Sequence, residues 1–442
     1  MSIRPDIQFY YNEKSKTHNE GLVKPLKQLD ATESPSKSGH LDVSGVTLMN
    51  FANISQTTAV TVAVLILVGT MGVNLSIAET AAEPSFDSFG GNRALKGKAT
   101  GFFHLGEIDG RHFLITPEGH AYRALGINHF HMMTSQDHDG AIRKIRKWGF
   151  NAGCYQGPRW MWNRIPYTKG INLVPTSPYK PDSQFGFRDV FDPAFIATLD
   201  GSIRRIVEPQ RENPYLIGYF WTDISVWERE RKGESWLSFY ASLPADSAGG
   251  KIWREWKASH PESEETKFLA VIAKQLFSTA HRLIRKYDRN HLILGERWHE
   301  IDMPDFVVRE SLPYVDAISI QPTSPEFNHE FFKEVHEAYG KPIYIADHVS
   351  SFATNEHPVT MGQKAKSPED YVAYYERYVT TALSRPYVVG YHKCQYQDQL
   401  SPGGMLKQGL LRRDERPYPT VEGIAEANRK ALQLAYAEEP KD

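Results

Sequence analysis

Cysteine is nearly absent: 442 residues hold two, Cys154 and Cys394. Two such residues make neither a zinc pattern nor a disulfide framework, so the redox compartment has to be read from elsewhere. Net charge is also missing, since 51 Lys and Arg stand against 53 Asp and Glu and leave −2. That balance gives no electrostatic case for nucleic acid or an anionic membrane surface as the main partner. No Gly-x-Gly-x-x-Gly and no Gly-x4-Gly-Lys-Ser/Thr follows any strand pattern, which argues against a nucleotide-binding fold. The apolar centre of residues 49–82, from about Ala59 to Val73, falls short of the ~20 residues of a comfortable membrane span.

That segment is instead the right length for a signal-peptide core. It carries no charge before Glu79, and Ser76-Ile77-Ala78 puts small residues where a signal peptidase needs them. Residues 1–48 upstream are polar, without strong periodicity, and read as a disordered leader. Either Met49 is the true start, or a long leader or short membrane anchor precedes the body; an internal core helix is the third reading. The expectation is export to the periplasm or beyond, with membrane contact only through such an anchor. Residues 83–100, rich in Gly, Ser and Ala, read as a linker, and 101–436 as one catalytic domain.

Within that domain "HFLITPEGHAYRALGINHF" predicts a strand, a turn at Pro117-Glu118-Gly119 and a second strand ending near Phe130. A helix follows, with apolar residues at 142, 145 and 148 and a stop at Gly149. The alternation continues: strands in "FNAGCYQG", "RIPYTKGINLV" (165–174), "YLIGYFWTDI", "HLILGERW", "VDAISIQPT", "KPIYIADHVSSF" and "YVVGYHKCQYQDQ". Helices fall near 193–210, 264–287, 304–312, 328–340, 368–384 and 420–436. Mostly apolar strands in this rhythm predict a parallel sheet covered by helices. Eight units in about 310 residues predict an α/β fold of the (β/α)8 (TIM) barrel type, with a short N-terminal β-strand extension.

Chemistry in such a barrel collects at the C-terminal ends of the strands. Strand one ends in Asn128, His129 and His131, strand four in Thr222 and Asp223. Strand five offers Glu296, Arg297 and His299, strand six Gln321, strand seven Asp347 and His348. Strand eight ends in Lys393, Gln395, Gln397 and Asp398. Two carboxylates facing each other across a barrel mouth suit glycosidic cleavage, one protonating the leaving oxygen while the other attacks the sugar or activates water. Trp160, Trp221 and Trp298 lie beside these ends and are candidates for stacking on sugar rings, although core packing is the commoner fate of any one tryptophan.

The phrases "IDGRHFLITPEGHAYRALGINHF", "NPYLIGYF", "LILGERW", "KPIYIADH" and "VVGYHKCQYQDQ" with "GLLRRDERPYPTVEGIAEAN" occur in this order. By them the domain resembles the agarase-like glycoside hydrolases of the large retaining (β/α)8 clan, over most of 101–430. The resemblance implies a polysaccharide or oligosaccharide substrate, an algal galactan of agar, porphyran or carrageenan type, and no cofactor or metal. It also implies an Asn-Glu pair ending strand four and a Glu nucleophile ending strand seven. Here the Glu slot falls on Ile224, the Asn slot on Asp223 and the nucleophile slot on Asp347, while Lys393 stands where a tryptophan is usual.

The expected acid is therefore Asp223, with Glu296 in reserve, and the expected base or nucleophile Asp347. Asp is a methylene shorter than Glu, so inversion of configuration becomes an option. Substrate contacts are expected from Asn128, His129, His131, Trp160, Trp221, Arg297, Trp298, His299, Gln321, His348, Lys393, Gln395 and Asp398. Lys393 at the mouth would suit a sulfated or uronic-acid sugar, or pair with Asp398 or Asp347. Two other readings stand: a catalytically altered carbohydrate-binding barrel, favoured by Ile224, and a metal-dependent amidohydrolase-like enzyme. The second rests on His129 and His131 at i and i+2 on one face of strand one.

Overall fold

The computed structural model describes residues 85–437, apart from 154, 175–185, 224, 231–232 and 402–403. The leader, the apolar segment, Cys154 and Ile224 lie outside the described residues. Among those described, no helix is long and apolar enough to cross a membrane.

The chain first builds a four-stranded antiparallel sheet from Asn92–Lys96, His104–Ile108, Arg111–Ile115 and His120–Tyr122, in the order first, fourth, third, second. This is the expected extension, two strands larger than the sequence reading, and its first strand lies within 83–100, which the sequence reads as a linker. Barrel strands one to four follow: Ala124–Ile127, Ala152–Gly153, Tyr167–Gly170 and Leu216–Phe220. Strand five comes in two segments, Leu292–Gly295 and Arg297–His299. Strands six to eight are Ile318–Gln321, Ile343–Phe352 and Val388–Cys394. Every pairing is parallel, each strand beside the next in sequence and the eighth beside the first. The (β/α)8 barrel is thus the observed architecture.

Strand five closes the ring because its first segment pairs with strand four and its second with strand six. Gly295, at φ +71° and with Val315 Cγ1 2.6 Å from where a Cβ would sit, makes the break. Only glycine takes that backbone without strain or clash.

The helices obey local rules. His138–Lys147 starts at Asp137, whose carboxylate accepts from Gly140 N at 2.8 Å, and ends with Lys144, Arg146 and Lys147 against the negative pole of its dipole. Gly149 follows at φ +79°, where a Cβ would stand 2.8 Å from Asn428 Cβ. Pro193–Val207 and Pro368–Ser384 each carry proline in the first turn behind a capping Asp192 or Ser367. Phe268–Tyr287 buries Leu269, Ile272, Leu276, Phe277, Leu283 and Ile284 against the strands, each worth roughly 1.5–3 kcal/mol of transfer free energy.

The insert after strand four forms two helices, Trp236–Ser242 and Ala248–Ser259. It is tied to the loop after strand five by Asp302, whose carboxylate accepts from Trp227 N at 3.0 Å and Glu228 N at 3.1 Å. Six of the nine tryptophans are buried, so packing accounts for most of the aromatic content.

Candidate active site

Arg297 organises the mouth. Its side chain is fully buried, and its guanidinium lies over the Tyr155 ring at 4.3 Å. Nη1 donates to Asp223 Oδ1 at 2.6 Å, and Nη2 pairs with Asp347 Oδ2 at 2.8 Å. Gln321 Nε2 donates to the same Asp223 oxygen at 3.2 Å. Strands four and seven therefore meet on the cation of strand five, and strand six joins them through Asp223. Sister nitrogens of a guanidinium are about 2.3 Å apart, so the two bound oxygens lie within about 8 Å of each other. Burial works against the charge of Arg297, but Asp223 and Asp347 outweigh it and hold the group cationic.

Asp347 is held as a carboxylate. Burial alone would raise its pKa, yet Arg297, then Lys407, His129 and the nearby Asn128 amide bring it well below the usual range. Its Oδ1 is buried and has no hydrogen-bond partner among the described residues. Asn128, expected at the site, donates from Nδ2 to Ala346 O at 2.9 Å.

His129 does not continue strand one. It takes the left-handed conformation at φ 55° and precedes a short 3-10 turn, Phe130–Met132, that holds His131. The two rings are 5.9 Å apart and do not share a strand face, which removes the basis of the amidohydrolase reading. Lys407 Nζ sits 2.8 Å from His129 Nε2. An ammonium can only donate, so Nε2 accepts and the imidazole proton resides on Nδ1. Burial first, then Lys407, keeps this ring neutral by lowering its pKa well below the usual value. His131 falls to about 4 through burial, Lys169 and Lys407.

His129, Asp347 and Cys394 bring one ligand-capable atom each within 4.8 Å. The donor set fits a divalent ion poorly, because Lys407 is already on His129 and Arg297 on Asp347. Burial, with Asp347 beside it, pushes the Cys394 thiol up to about 12 and keeps it protonated.

Several expected contacts lie elsewhere. Trp221 is wholly buried and stacked on Phe277 at 5.0 Å, and Trp298 packs against Trp227 and Phe277; both belong to the layer between strands and helices and offer no face to a sugar. Lys393 is buried too, over the rings of Tyr371 and Tyr375, with Nζ donating to Cys394 O, so it is no cation of the mouth. His348 stacks on Tyr378 at 3.8 Å and bonds Tyr391. Asp398 is spent on Gly409 N and the Tyr418 hydroxyl, both at 2.6 Å. Gln395 donates to Gln397 O and Lys407 O and so positions Lys407 rather than meeting solvent. Trp160 is half-buried, stacked on His138, and His299 stands half-buried beside Gln321 in register.

Two residues at the site were missed: Tyr155, under the Arg297 guanidinium, and Lys407, on His129. After strand two only Trp160 carried a reading, and Lys407 lies on a small hairpin with Gln399–Leu400 rather than at a strand end.

Glu296, the reserve acid, bonds Thr222 at 3.2 Å, while its other oxygen has no partner. Burial pushes its pKa up to about 8, against a small opposing effect of Thr222. A neutral carboxyl at neutral pH has the charge state of a proton donor, but its partner is Thr222, away from the Arg297 bridge. Below the ordinary carboxylate range both folded and unfolded chains are protonated there, and this contribution is intact. As pH rises towards about 8 only the unfolded chain ionises, and the contribution is lost. Glu296→Gln is therefore expected to match the wild type near about pH 4 and to gain on it steadily to about pH 8 in denaturant midpoint. Parallel midpoint curves would show an ordinary, ionised Glu296.

No family model matches the chain. A β-agarase B of Vibrio sp. (strain JT0107) is 20% identical, over 83% of this chain and 52% of that protein, so the chain spans about half the length of the curated relative it matches. The crystal structure of an agarase superposes with TM-score 0.68 at 19% identity, covering 80% of this chain and 67% of that one. An exo-β-agarase does so with TM-score 0.66 at 18%, covering 80% and 68%. The chain resembles the agarase-like glycoside hydrolases: a β-agarase in sequence, agarases in the fold of the barrel.

Proposed function

We propose that the chain is a glycoside hydrolase that cleaves O-glycosyl bonds of an agar-like galactan. The observation that carries this is the meeting of Asp223 and Asp347, from facing strands, on one guanidinium. The ceiling of about 8 Å between the bound oxygens admits both retaining (~5–5.5 Å) and inverting (~6.5–9.5 Å) spacings. Asp347, ionised and with Oδ1 unpartnered, takes the role of nucleophile or base. Asp223 commits Oδ1 to two donors, so Oδ2 is the oxygen left to exchange a proton with the glycosidic oxygen. The His129 Nδ1–H, buried and unpartnered, is a donor for a sugar hydroxyl.

Agarose, porphyran, carrageenan and plant oligosaccharides, offered separately, test the reading. New reducing ends from a galactan are expected, with the anomeric form of the first product followed by NMR to assign retention or inversion. Binding across the panel without turnover would sink the hydrolase and favour a carbohydrate-binding barrel. The same proposal takes residues 49–82 as an export signal or anchor and 101–436 as the working domain; N-terminal sequencing with membrane fractionation checks it, a terminus near Met1 on a protein that stays out of the membrane fraction being the contrary result.

A further inference from the structure

We propose that Tyr155 is a positioning residue of this site: its ring, held by strand three, fixes the plane of the Arg297 guanidinium and through it the two carboxylates. The guanidinium nitrogens pair with Asp223 Oδ1 at 2.6 Å, Asp347 Oδ2 at 2.8 Å and Ala346 O at 3.3 Å. Guanidinium N–H bonds point along its plane. The hydrogen bonds to Asp223 and Ala346 therefore set where the group sits but do little against its tipping. Tipping is resisted by what packs on its faces. Among the described residues two rings come within cation–π reach, Tyr155 at 4.3 Å and Phe220 at 5.7 Å, and Tyr155 is the nearer.

Tyr155 reaches that place in a costly conformation. Its φ of 75° is left-handed, a genuine outlier for a bulky aromatic residue. Such a backbone persists only where its surroundings over-determine it, and strand three with the turn after it does so here. Thr168 Oγ1 accepts from Tyr155 N at 2.9 Å, and Tyr155 O accepts from Gly170 N at 2.5 Å. The Tyr155 hydroxyl donates to Asn172 Oδ1 at 2.7 Å, and Lys169 Nζ donates to the next carbonyl, Gln156 O. Gly170 also leaves the ring its room, since a Cβ there would stand 2.7 Å from Tyr155 Cε2. Tyr155 is itself buried, so it acts on a substrate through Arg297 and not by contact. Asp223 and Asp347 both hang on this one guanidinium, and a tipped plane changes the separation on which carboxylate-driven glycoside cleavage depends.

Two measurements test this; the kinetic one rests on the hydrolase reading above and the spectroscopic one does not. Tyr155→Leu removes the ring, and Tyr155→Phe keeps it. On a galactan oligosaccharide Tyr155→Leu is expected to lower kcat about tenfold or more, the effect of a small misplacement of reacting groups, with KM moving less than about threefold. Tyr155→Phe should recover most of that loss. By nitrogen NMR of arginine-labelled protein, a held guanidinium gives separate Nη1 and Nη2 signals. Those of Arg297 should merge in Tyr155→Leu through rotation about the Nε–Cζ bond, and stay apart in Tyr155→Phe. Thermal melts confirm folding; if Tyr155→Leu does not fold, Gly170→Ala, whose added Cβ crowds the ring, should give the same fall in kcat and the same merging. Unchanged kcat in Tyr155→Leu, a change in KM alone, or equal losses in the Leu and Phe variants overturns the proposal. Nη signals that stay apart without the ring also overturn it. Merging in Tyr155→Leu, with a wild type that cleaves nothing, would sustain it while the hydrolase reading fails; cleavage untouched by Tyr155→Leu does the reverse.

Discussion

Arg297→Met is expected to destabilise the fold by about 3–5 kcal/mol at neutral pH, the range found when one partner of a buried ion pair is removed. Arg297 is buried between two carboxylates, and Met keeps the length of the side chain while removing the charge. What remains is Asp347, buried and short of its main counter-ion. In the wild type its pKa lies below the unfolded value, so its contribution is present above the ordinary carboxylate range and is lost as pH falls through the depressed folded value. In the variant burial dominates and the shift reverses sign, so acid protonates Asp347 and relieves the folded state. The stability gap between the two proteins should therefore be widest near about pH 7 and narrow towards about pH 4 in urea unfolding. An equally stable variant at neutral pH would mean that Asp347 takes up a proton in the folded state, or finds another counter-ion, at little cost.

The barrel was legible because its signals are local and repeated. Apolar strand runs, capping residues and Gly149 fixed the elements, and the helix expected over 368–384 is Pro368–Ser384. The strand-end rule also found Asp223, Arg297, Gln321 and Asp347, which do meet. It failed where side-chain direction mattered. Along a strand successive residues face opposite sides, so Phe220 points to Arg297 while Trp221 turns to Phe277. Likewise Asp347 reaches Arg297 while its neighbour His348 meets Tyr378. Lys393 and Cys394 divide in the same way, and the cation expected at strand eight arrives from a hairpin thirteen or so residues on, as Lys407. Strand-end residues name a ring of candidates; the pleat decides which half of them meets the substrate.

Asp347→Asn is expected to lower kcat by at least about a thousandfold, as loss of a group acting in the bond-breaking step does. Asn is isosteric and its Oδ1 still accepts from Arg297, so the mouth keeps its shape. KM should accordingly move far less than kcat, and the melting curve should separate this loss from unfolding. The charge is what disappears: an amide neither attacks the anomeric carbon nor takes a proton from water. Asp223→Asn provides the contrast. If Asp223 protonates the leaving oxygen, its loss should weigh most on substrates with poor leaving groups and little on activated aryl glycosides, whereas Asp347→Asn should be silent on both. In a retaining reaction Asp347→Gly, unlike the isosteric Asn, opens space for a small anion such as azide, which attacks the anomeric carbon and gives a glycosyl azide of inverted configuration; in an inverting one Asp347 only activates water, and the wild-type product is already inverted. Full activity in Asp347→Asn would remove the pair from the chemistry, and would leave Arg297 holding two carboxylates for structure alone.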